Sequence, residues 1–392
     1  MSNVHERQSG SYHGQVAICS AGQTPLSRKS GRSVLSLARE AALAALDAAG
    51  MTPEELDGII QYSVGDSVPA EAIGSAIGKT ELNYVLDFAQ GGQSPCYMVM
   101  HAAMAIHCGL AKSILVIRAL NGRSGYRVGH EISDEGASLL RLALGYTAYP
   151  QYTAMMARRY LVETGSTSDD LAAIAIAQRQ WASKNDRAIL QKPLTLDDYF
   201  ASPYLVEPYR FADCTSEVDG AAAVLVTSLE RARDLRLPPV VVSGSAWASH
   251  GADLDMGSML HMKDYSRNYT NQLAAKLWAS AGLGPKDVDV VQLYDCFTGT
   301  FAMNLEGLGF VGRGEAGSFV RDGNTGINGS LPANTNGGLL SEGYLHGMNN
   351  VTEAVWQMQG SCGDRQVADV EVTAVCSGGM QSGSALVLTA DR

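Results

Sequence analysis

The sequence contains two copies of one short pattern, and this internal repeat constrains the fold more than any other feature. Segment 49–63, AGMTPEELDGIIQYS, aligns without gaps with segment 281–295, AGLGPKDVDVVQLYD. Ala, Gly, Pro, Asp and Tyr recur at a constant offset of 232, since Gly282 matches Gly50. At 392 residues the chain is long enough for two such units. We therefore expect two related α/β halves.

Each copy is predicted to run from a helix through a short helical turn into a strand. In the first copy, helix 35–49 follows an N-cap at Ser33 and ends at Gly50, and TPEE at 52–55 has the form of a capping box. Helices that alternate with β-branched runs favour a mostly parallel sheet covered on both faces. Strands are predicted at 16–20, 57–62, 84–88, 113–118 and 222–227, and then at 240–244, 288–294, 370–375 and 384–388.

The boundary between the halves is predicted near residue 235, where LRLPP at 235–239 precedes a strand. The N-terminal half is then 1–235 and the C-terminal half 236–392. Residues from about 121 to 208 differ in composition from the rest of the chain, with many aromatic side chains and a predicted helical stretch at 152–163. We interpret them as an insertion in the first half that covers the site.

Composition excludes several classes of function. A formal charge of -11 and a pI near 5.2 argue against nucleic acid or an anionic membrane surface as the main partner. The N-terminus lacks an apolar signal core and no run is long enough to span a membrane, so we expect a cytoplasmic protein. The seven cysteines include no C-x-x-C pair of the kind found in zinc and redox sites. Their odd number also fits poorly with a disulfide framework.

Three blocks of the second half carry the candidate chemistry: YDCF at 294–297, NTNGGLLSEGYLHG at 334–347 and CSGG at 376–379. Their order and spacing resemble the active-site blocks of thiolases, especially the sterol-carrier-protein and lipid-transfer types. The resemblance covers nearly the whole chain and is closest to the actinobacterial steroid side-chain-cleaving aldolases. It implies the α/β thiolase fold, in which two related halves stack into five αβαβα layers and usually dimerise.

The nucleophile of a thiolase is missing from this sequence. A thiolase forms an acyl-enzyme on a cysteine at the N-terminus of a buried helix, and the equivalent helix is predicted at 94–109. The resemblance puts the nucleophile's position at Gly92 within QGGQS, where there is no thiol. Cys96, in the first turn, is the alternative nucleophile, but a free cysteine there is also typical of a small buried residue.

Tyrosines stand where the resemblance places polar catalytic residues. Tyr344 falls on the histidine that binds the thioester oxygen, and Tyr294 on the first position of the block that follows a strand. A tyrosine at a strand end usually serves packing, but the glycines around Tyr344 indicate backbone close to a ligand. Cys376 matches the acid/base cysteine, Asn334 matches the asparagine before the paired glycines, and His346 is a candidate to orient Tyr344.

Without an acyl-accepting thiol, the resemblance implies retro-aldol cleavage of the Cα–Cβ bond of a β-hydroxyacyl-CoA. The implied substrate is a 17-hydroxy steroid side-chain CoA ester, cleaved to a 17-ketosteroid and propionyl-CoA. Tyrosine titrates near pH 10 and is an acid toward an enolate. Tyr294 would serve the hydroxyl and Tyr344 the enolate, with Cys376 competing for the second role. Asn334 or the amides of Gly91, Gly92 and Gln93 would hold the enolate oxygen.

No cofactor is expected beyond the CoA of the substrate. The resemblance implies a homodimeric core that joins a partner subunit carrying an OB-fold and a zinc ribbon. Two other functions stay open at this point. The chain could be a true thiolase or acyltransferase using Cys96, or a non-catalytic carrier of acyl-CoA or lipid.

Overall fold

The computed structural model describes residues 11–125, 139, 142–146, 148–249 and 263–391. The strands are β1 Val16–Gln23, β2 Gly58–Tyr62, β3 Tyr84–Phe88, β4 Ser113–Asn121, β5 Tyr204–Val206, β6 Tyr209–Arg210, β7 Asp219–Ser228, β8 Val240–Ser249, β9 Val290–Gln292, β10 Val372–Ser377 and β11 Ser382–Ala390. The helices are α1 Val34–Ala49, α2 Ala70–Ala76, α3 Ser94–His107, α4 Tyr149–Thr164, α5 Ser168–Ala182, α6 Leu196–Ala201, α7 Leu229–Ala232, α8 Thr270–Ala281, α9 Thr298–Gly307, α10 Ala316–Arg321, α11 Gly338–Ser341 and α12 Met348–Met358.

The repeat seen in the sequence is present in the fold. In the first half β1 pairs with β7 antiparallel, β7 with β4 antiparallel and β4 with β2 parallel. In the second half β8, β11, β10 and β9 repeat this order and these directions. Each copy of the motif also forms a short 3-10 turn, Pro53–Glu55 and Pro285–Asp287, between its helix and its strand. The two related halves predicted for the fold are confirmed.

The prediction of a mostly parallel sheet is wrong. One nine-stranded sheet has the order β3-β2-β4-β7-β1-β8-β11-β10-β9, and only β2–β3, β2–β4 and β9–β10 are parallel. Strand β11 follows β10 through residues 378–381, which are too few for the crossover that a parallel pair requires. The halves join edge to edge where Ala17 and Ile18 pair with Val241 and Val240.

The strands of the first half and those of the second half form the two β layers of the predicted αβαβα arrangement, and three clusters of buried side chains pack helices against them. The first lies between α1, α2 and one face of the first-half strands, with Leu37 and Leu115 in its core. The second lies between the strands of the two halves and contains α3 and α12, with Val99, Val351 and Val375 among its buried residues. The third covers the outer face of the second half with α8 and α9. Helices α3 and α12 therefore lie in the central layer.

The aromatic segment between β4 and β7 contains helices α4, α5 and α6 and the short strand pair β5 and β6. Helices α4 and α5 pack with α9 and α10 in the third cluster, and Trp181 Nε1 donates to the carbonyl of Thr325 at 2.9 Å. The predicted helical stretch 152–163 lies within α4. Residues 126–138, 140–141 and 147 of the predicted insertion lie outside the described residues. Among the helices described, none has the length and hydropathy to cross a membrane.

Candidate functional site

The structure brings together the two tyrosines that the sequence singles out. Tyr294 Oη lies 2.6 Å from Tyr344 Oη, and the ring centroids are 6.2 Å apart in an edge-to-face arrangement. Tyr294 follows β9 and is 3% exposed, whereas Tyr344 is only partly buried. Its amide donates to the carbonyl of Ser216 at 2.9 Å, which ties the loop after α11 to the segment before β7. The two phenols therefore form one hydrogen-bonded unit.

Burial keeps both phenols protonated. It raises the pKa of Tyr294 well above the ordinary value of 10, and the nearby Tyr344 raises it further. Burial is also the main reason that the pKa of Tyr344 is well above 10, while its hydrogen bond with Tyr294 acts in the opposite direction. Neither group is a phenolate near neutral pH. The pair is suited to passing a proton along the hydrogen bond without ionising.

The hydroxyl of Tyr294 occupies the space beside Gly92, the position that the resemblance gives to the nucleophile. A Cβ built on Gly92 would overlap this hydroxyl, and one on Gly347 would lie 2.9 Å from Cδ2 of the same ring. Gly379 borders the ring on another side, with 3.6 Å from its built Cβ to Cε1 of Tyr294. Glycines from three separate segments thus pack against the side chain of Tyr294, where larger residues would not fit or would crowd the ring.

The predicted oxyanion segment lies at the N-terminal end of α3. Its turn is closed by a hydrogen bond from the Ser94 amide to the Gly91 carbonyl at 3.1 Å. Ser384 anchors it to β11, because its Oγ donates to the carbonyl of Gln93 at 2.6 Å. The first N–H groups of a helix have no partner within the helix, and the helix dipole favours negative charge there. Gly92, just before this helix end, lies against Tyr294.

The two cysteines of interest are neutral thiols. Cys376 in β10 is fully buried, and its Sγ accepts the Tyr294 amide at 3.5 Å. Burial raises the pKa of Cys376 to about 11. The Cys96 thiol donates to the Val375 carbonyl at 3.7 Å and lies 3.2 Å from Ser377 Oγ, and burial raises its pKa as well. Cys96 therefore has the properties of a packed residue and lacks those of an activated nucleophile.

Asn334 supports the site through the backbone. Its Oδ1 accepts the Leu293 amide at 2.6 Å and its Nδ2 donates to the Leu293 carbonyl at 2.9 Å. The residue has a positive φ of 50°, and its own amide donates to Val291 at 2.9 Å. Asn350 adds a second donor to the Leu293 carbonyl, at 2.8 Å. The side-chain amide of Asn334 thus fixes the backbone that leads into Tyr294. Its contact with the enolate oxygen stays a prediction.

His346 leads to a buried charge cluster that the sequence analysis missed. Its ring lies 4.4 Å from the Tyr344 ring, and its Nδ1 is 3.1 Å from Arg118 Nη2. Arg118 forms an ion pair with Asp66 and stacks on the Tyr62 ring at 4.4 Å. The one available signal was an arginine inside the otherwise apolar strand SILVIRALN of β4. In the parts of the chain described, no three His, Cys, Asp or Glu side chains form a group suited to a metal ion.

Comparisons with known proteins identify the family. Residues 251–390 match the family described as "Thiolase C-terminal domain-like". The chain is 39% identical to a steroid side-chain-cleaving aldolase of Thermomonospora curvata, over 97% of this chain and 99% of that protein. It is 38% identical to the 17-hydroxy-3-oxo-4-pregnene-20-carboxyl-CoA lyase of Mycobacterium tuberculosis, over 96% and 99% of the two chains.

A solved structure gives the same result at the level of the fold. The structure of the Ltp2-ChsH2(DUF35) aldolase superposes with a TM-score of 0.90 at 39% sequence identity. The match covers 97% of this chain and 99% of the other. Similarity of this extent, over full lengths, includes the strands and loops that carry the tyrosine pair.

Proposed function

The chain belongs to the thiolase superfamily, within its aldolase branch, and we propose that it cleaves the side-chain CoA ester of a 17-hydroxy steroid by a retro-aldol reaction. As an enzyme it is a thiolase-like carbon–carbon lyase. The proposed products are a 17-ketosteroid and propionyl-CoA. The observation that carries the proposal is the hydrogen bond of 2.6 Å between Tyr294 and Tyr344 beside a glycine in place of the nucleophile.

The proposed chemical step breaks the Cα–Cβ bond and carries, in net terms, one proton from the substrate hydroxyl to Cα. The substrate hydroxyl passes its proton to Tyr294 Oη as the Cα–Cβ bond breaks, and the oxygen becomes the ketone. The electron pair of that bond forms the thioester enolate. Tyr294 at the same time passes its own proton to Tyr344, whose proton goes to Cα. The relay leaves both phenols as they began, which suits side chains whose pKa values are raised by burial.

The enolate oxygen requires donors that are in place before charge develops. The amides of Gly92 and Gln93 are the proposed donors, because they precede α3 and lie beside Tyr294. Cys376 is a second candidate to protonate Cα, since its sulfur accepts the amide of Tyr294. Tyr344 is the preferred donor, because its hydroxyl is hydrogen-bonded to Tyr294 and can regain from it the proton that goes to Cα.

The partner proposal rests on the related complex. The similar structure is of an aldolase named together with ChsH2(DUF35), and we infer that this chain also joins a DUF35 subunit. A homodimeric core is part of the same proposal, as is a cytoplasmic location. No cofactor is proposed, because the CoA group arrives with the substrate.

The decisive experiment uses the chain with and without a DUF35 partner and a 17-hydroxy steroid side-chain CoA ester, in the absence of free CoA. A retro-aldolase forms ketone and propionyl-CoA in equal amounts without consuming CoA. In D2O, the propionyl-CoA should carry one deuterium at Cα. A thiolase requires free CoA as acyl acceptor, and a carrier gives no product. Product formation only when CoA is added would overturn the proposal.

A further inference from the structure

The imidazole of His346 has a fixed hydrogen-bond arrangement. Arg118 Nη2 lies 3.1 Å from its Nδ1, and a guanidinium carries only donors. Nδ1 must therefore accept, so a neutral ring carries its proton on Nε2. Among the residues described, none is hydrogen-bonded to Nε2. The arrangement leaves one N–H donor on a ring that contacts Tyr344.

The cluster around this ring has little freedom to rearrange. Arg118 is fully buried, donates to the Tyr62 carbonyl at 3.1 Å and forms an ion pair with buried Asp66. Tyr62 Oη donates to the His346 carbonyl at 3.3 Å. His346 itself has a positive φ of 53°, a conformation that non-glycine residues rarely adopt without a structural reason. Both its backbone and its ring are thus held from the first half of the chain.

We propose that Arg118 is a positioning residue that fixes His346 as a neutral Nε2–H donor, and that this donor binds the thioester oxygen of the substrate. The proposal rests on the proposed retro-aldol function. It assigns His346 a contact that polarises the oxygen on which negative charge develops. Asp66 holds Arg118 in place, and the electron pair that develops on the thioester oxygen is stabilised without any transfer of the imidazole proton.

The charges that face His346 support this assignment. Burial and the Arg118 guanidinium both lower the pKa of His346, to about 3, while the Asp66 carboxylate opposes them. The other titratable groups against the ring are the phenols of Tyr62 and Tyr344, whose pKa values are raised. A neutral imidazole is therefore expected throughout the range in which the enzyme would work, so His346 acts as a donor and does not titrate.

The first test reads the tautomer directly and needs no turnover. Protein with 15N-labelled histidine is compared with His346→Gln to assign the ring signals. We expect Nδ1 unprotonated and Nε2 protonated between about pH 5 and 8. A steroid acyl-CoA that lacks the β-hydroxyl binds but cannot be cleaved, and should shift the Nε2–H signal. An Nδ1–H tautomer, an imidazolium in this range, or no shift with the analogue would overturn the proposal.

The second test separates positioning from folding. Arg118→Gln combined with Asp66→Asn removes both buried charges, so no unpaired ion is left in the core. Its 15N spectrum should show a population with the proton on Nδ1, because Arg118 no longer fixes that nitrogen as an acceptor, and kcat/KM should fall as the Nε2–H donor is lost. His346→Ala should lower kcat/KM by about 100-fold, and His346→Gln, which keeps a neutral donor, should recover part of it. Equal rates for the Ala and Gln variants would contradict a donor role. If no cleavage occurs at all, the proposed function fails, and the labelling experiment still decides the tautomer.

Discussion

The hydroxyl of Tyr294 lies where a side chain at residue 92 would have to be. The two residues come from opposite halves of the chain, and the phenol could not lie at this position if residue 92 had a side chain. A phenol this close to the start of α3 requires glycine at residue 92, and the resemblance places the thiolase nucleophile at this same position. This exchange places a proton carrier of high pKa at the point where the family's nucleophile would stand.

Substitution of Gly92 tests this exchange. In Gly92→Ala the new Cβ would overlap Tyr294 Oη and displace it from Tyr344. Overpacking of this kind costs about 1–3 kcal/mol of stability, and loss of the relay should lower kcat by about 100-fold or more. Gly91→Ala is the matched control, because its nearest neighbour is the flexible Gln93 side chain at 3.1 Å. Steady-state cleavage assays and urea unfolding of both variants give the comparison; equal kcat values would contradict it.

Removal of either phenolic oxygen should stop the relay. We expect Tyr294→Phe and Tyr344→Phe each to lower kcat by about 100- to 10,000-fold, with the acyl-CoA still bound. The double variant should lose little more than either single variant, because the two oxygens act as one unit. Product release measured by chromatography, together with Kd from calorimetry, separates chemistry from binding.

A control for these variants is Tyr160→Phe, in α4. Tyr160 is also a buried tyrosine, with its hydroxyl bonded to Glu306 away from the candidate site. Its loss should affect stability and leave kcat within about twofold. Additive losses in the Tyr294 and Tyr344 double variant would argue for two independent roles in place of a relay.

The thiols should differ sharply in reactivity. Cys108 is exposed, whereas Cys96 and Cys376 are buried. Burial raises the pKa of Cys376 to about 11 and that of Cys96 further, so neither is a thiolate at pH 8. Iodoacetamide at this pH should label Cys108 first in the native protein. Peptide mass spectrometry reads the order, and early labelling of Cys96 would revive the thiolase alternative.

Local sequence patterns predicted the features that depend on neighbours along the chain. The helix ends at Gly50 and Gly282, the 3-10 turns after them and the glycines around Tyr344 all follow from short-range rules. The directions of the strands do not follow from such short-range rules. The position of β7 between β4 and β1 depends on pairing partners far apart in the sequence, and the alternation of residue types cannot specify it.

The same distinction applies to the site. Tyr294 and Tyr344 were found because each lies in a recognisable glycine-containing block. Arg118 was missed because its contacts with Asp66 and His346 form only after β4 packs beneath the loop after α11. The two hydrogen bonds of Asn334 to Leu293 were not predicted, since a side-chain amide that mimics a strand partner has no sequence signature.

The depressed pKa of His346 predicts a dependence of stability on pH. Its folded value of about 3 lies below the ordinary value of 6.5, so the unfolded chain binds the proton more tightly. The free energy of unfolding is therefore unaffected by this group above about pH 6.5. It falls as the pH drops from there toward 3, by at most about 1.4 kcal/mol per pH unit. We expect His346→Gln to flatten this part of the profile, measured as free energy of unfolding in urea between about pH 4 and 7. Parallel profiles for the two proteins would mean that His346 is accessible to protons when folded.

Asn334 should couple backbone geometry to catalysis. In Asn334→Ala, both hydrogen bonds to Leu293 are lost, and alanine must keep a φ near 50°. Two buried backbone groups then lack that partner, although Asn350 still reaches the carbonyl, so we expect a loss of about 2–4 kcal/mol in the free energy of unfolding. Asn334→Asp keeps the acceptor for the Leu293 amide and should lose less. Because Leu293 precedes Tyr294, kcat should fall in the same order, Ala below Asp below the native residue. A variant that is destabilised by this amount yet cleaves at the native rate would show that the position of Tyr294 does not depend on Asn334.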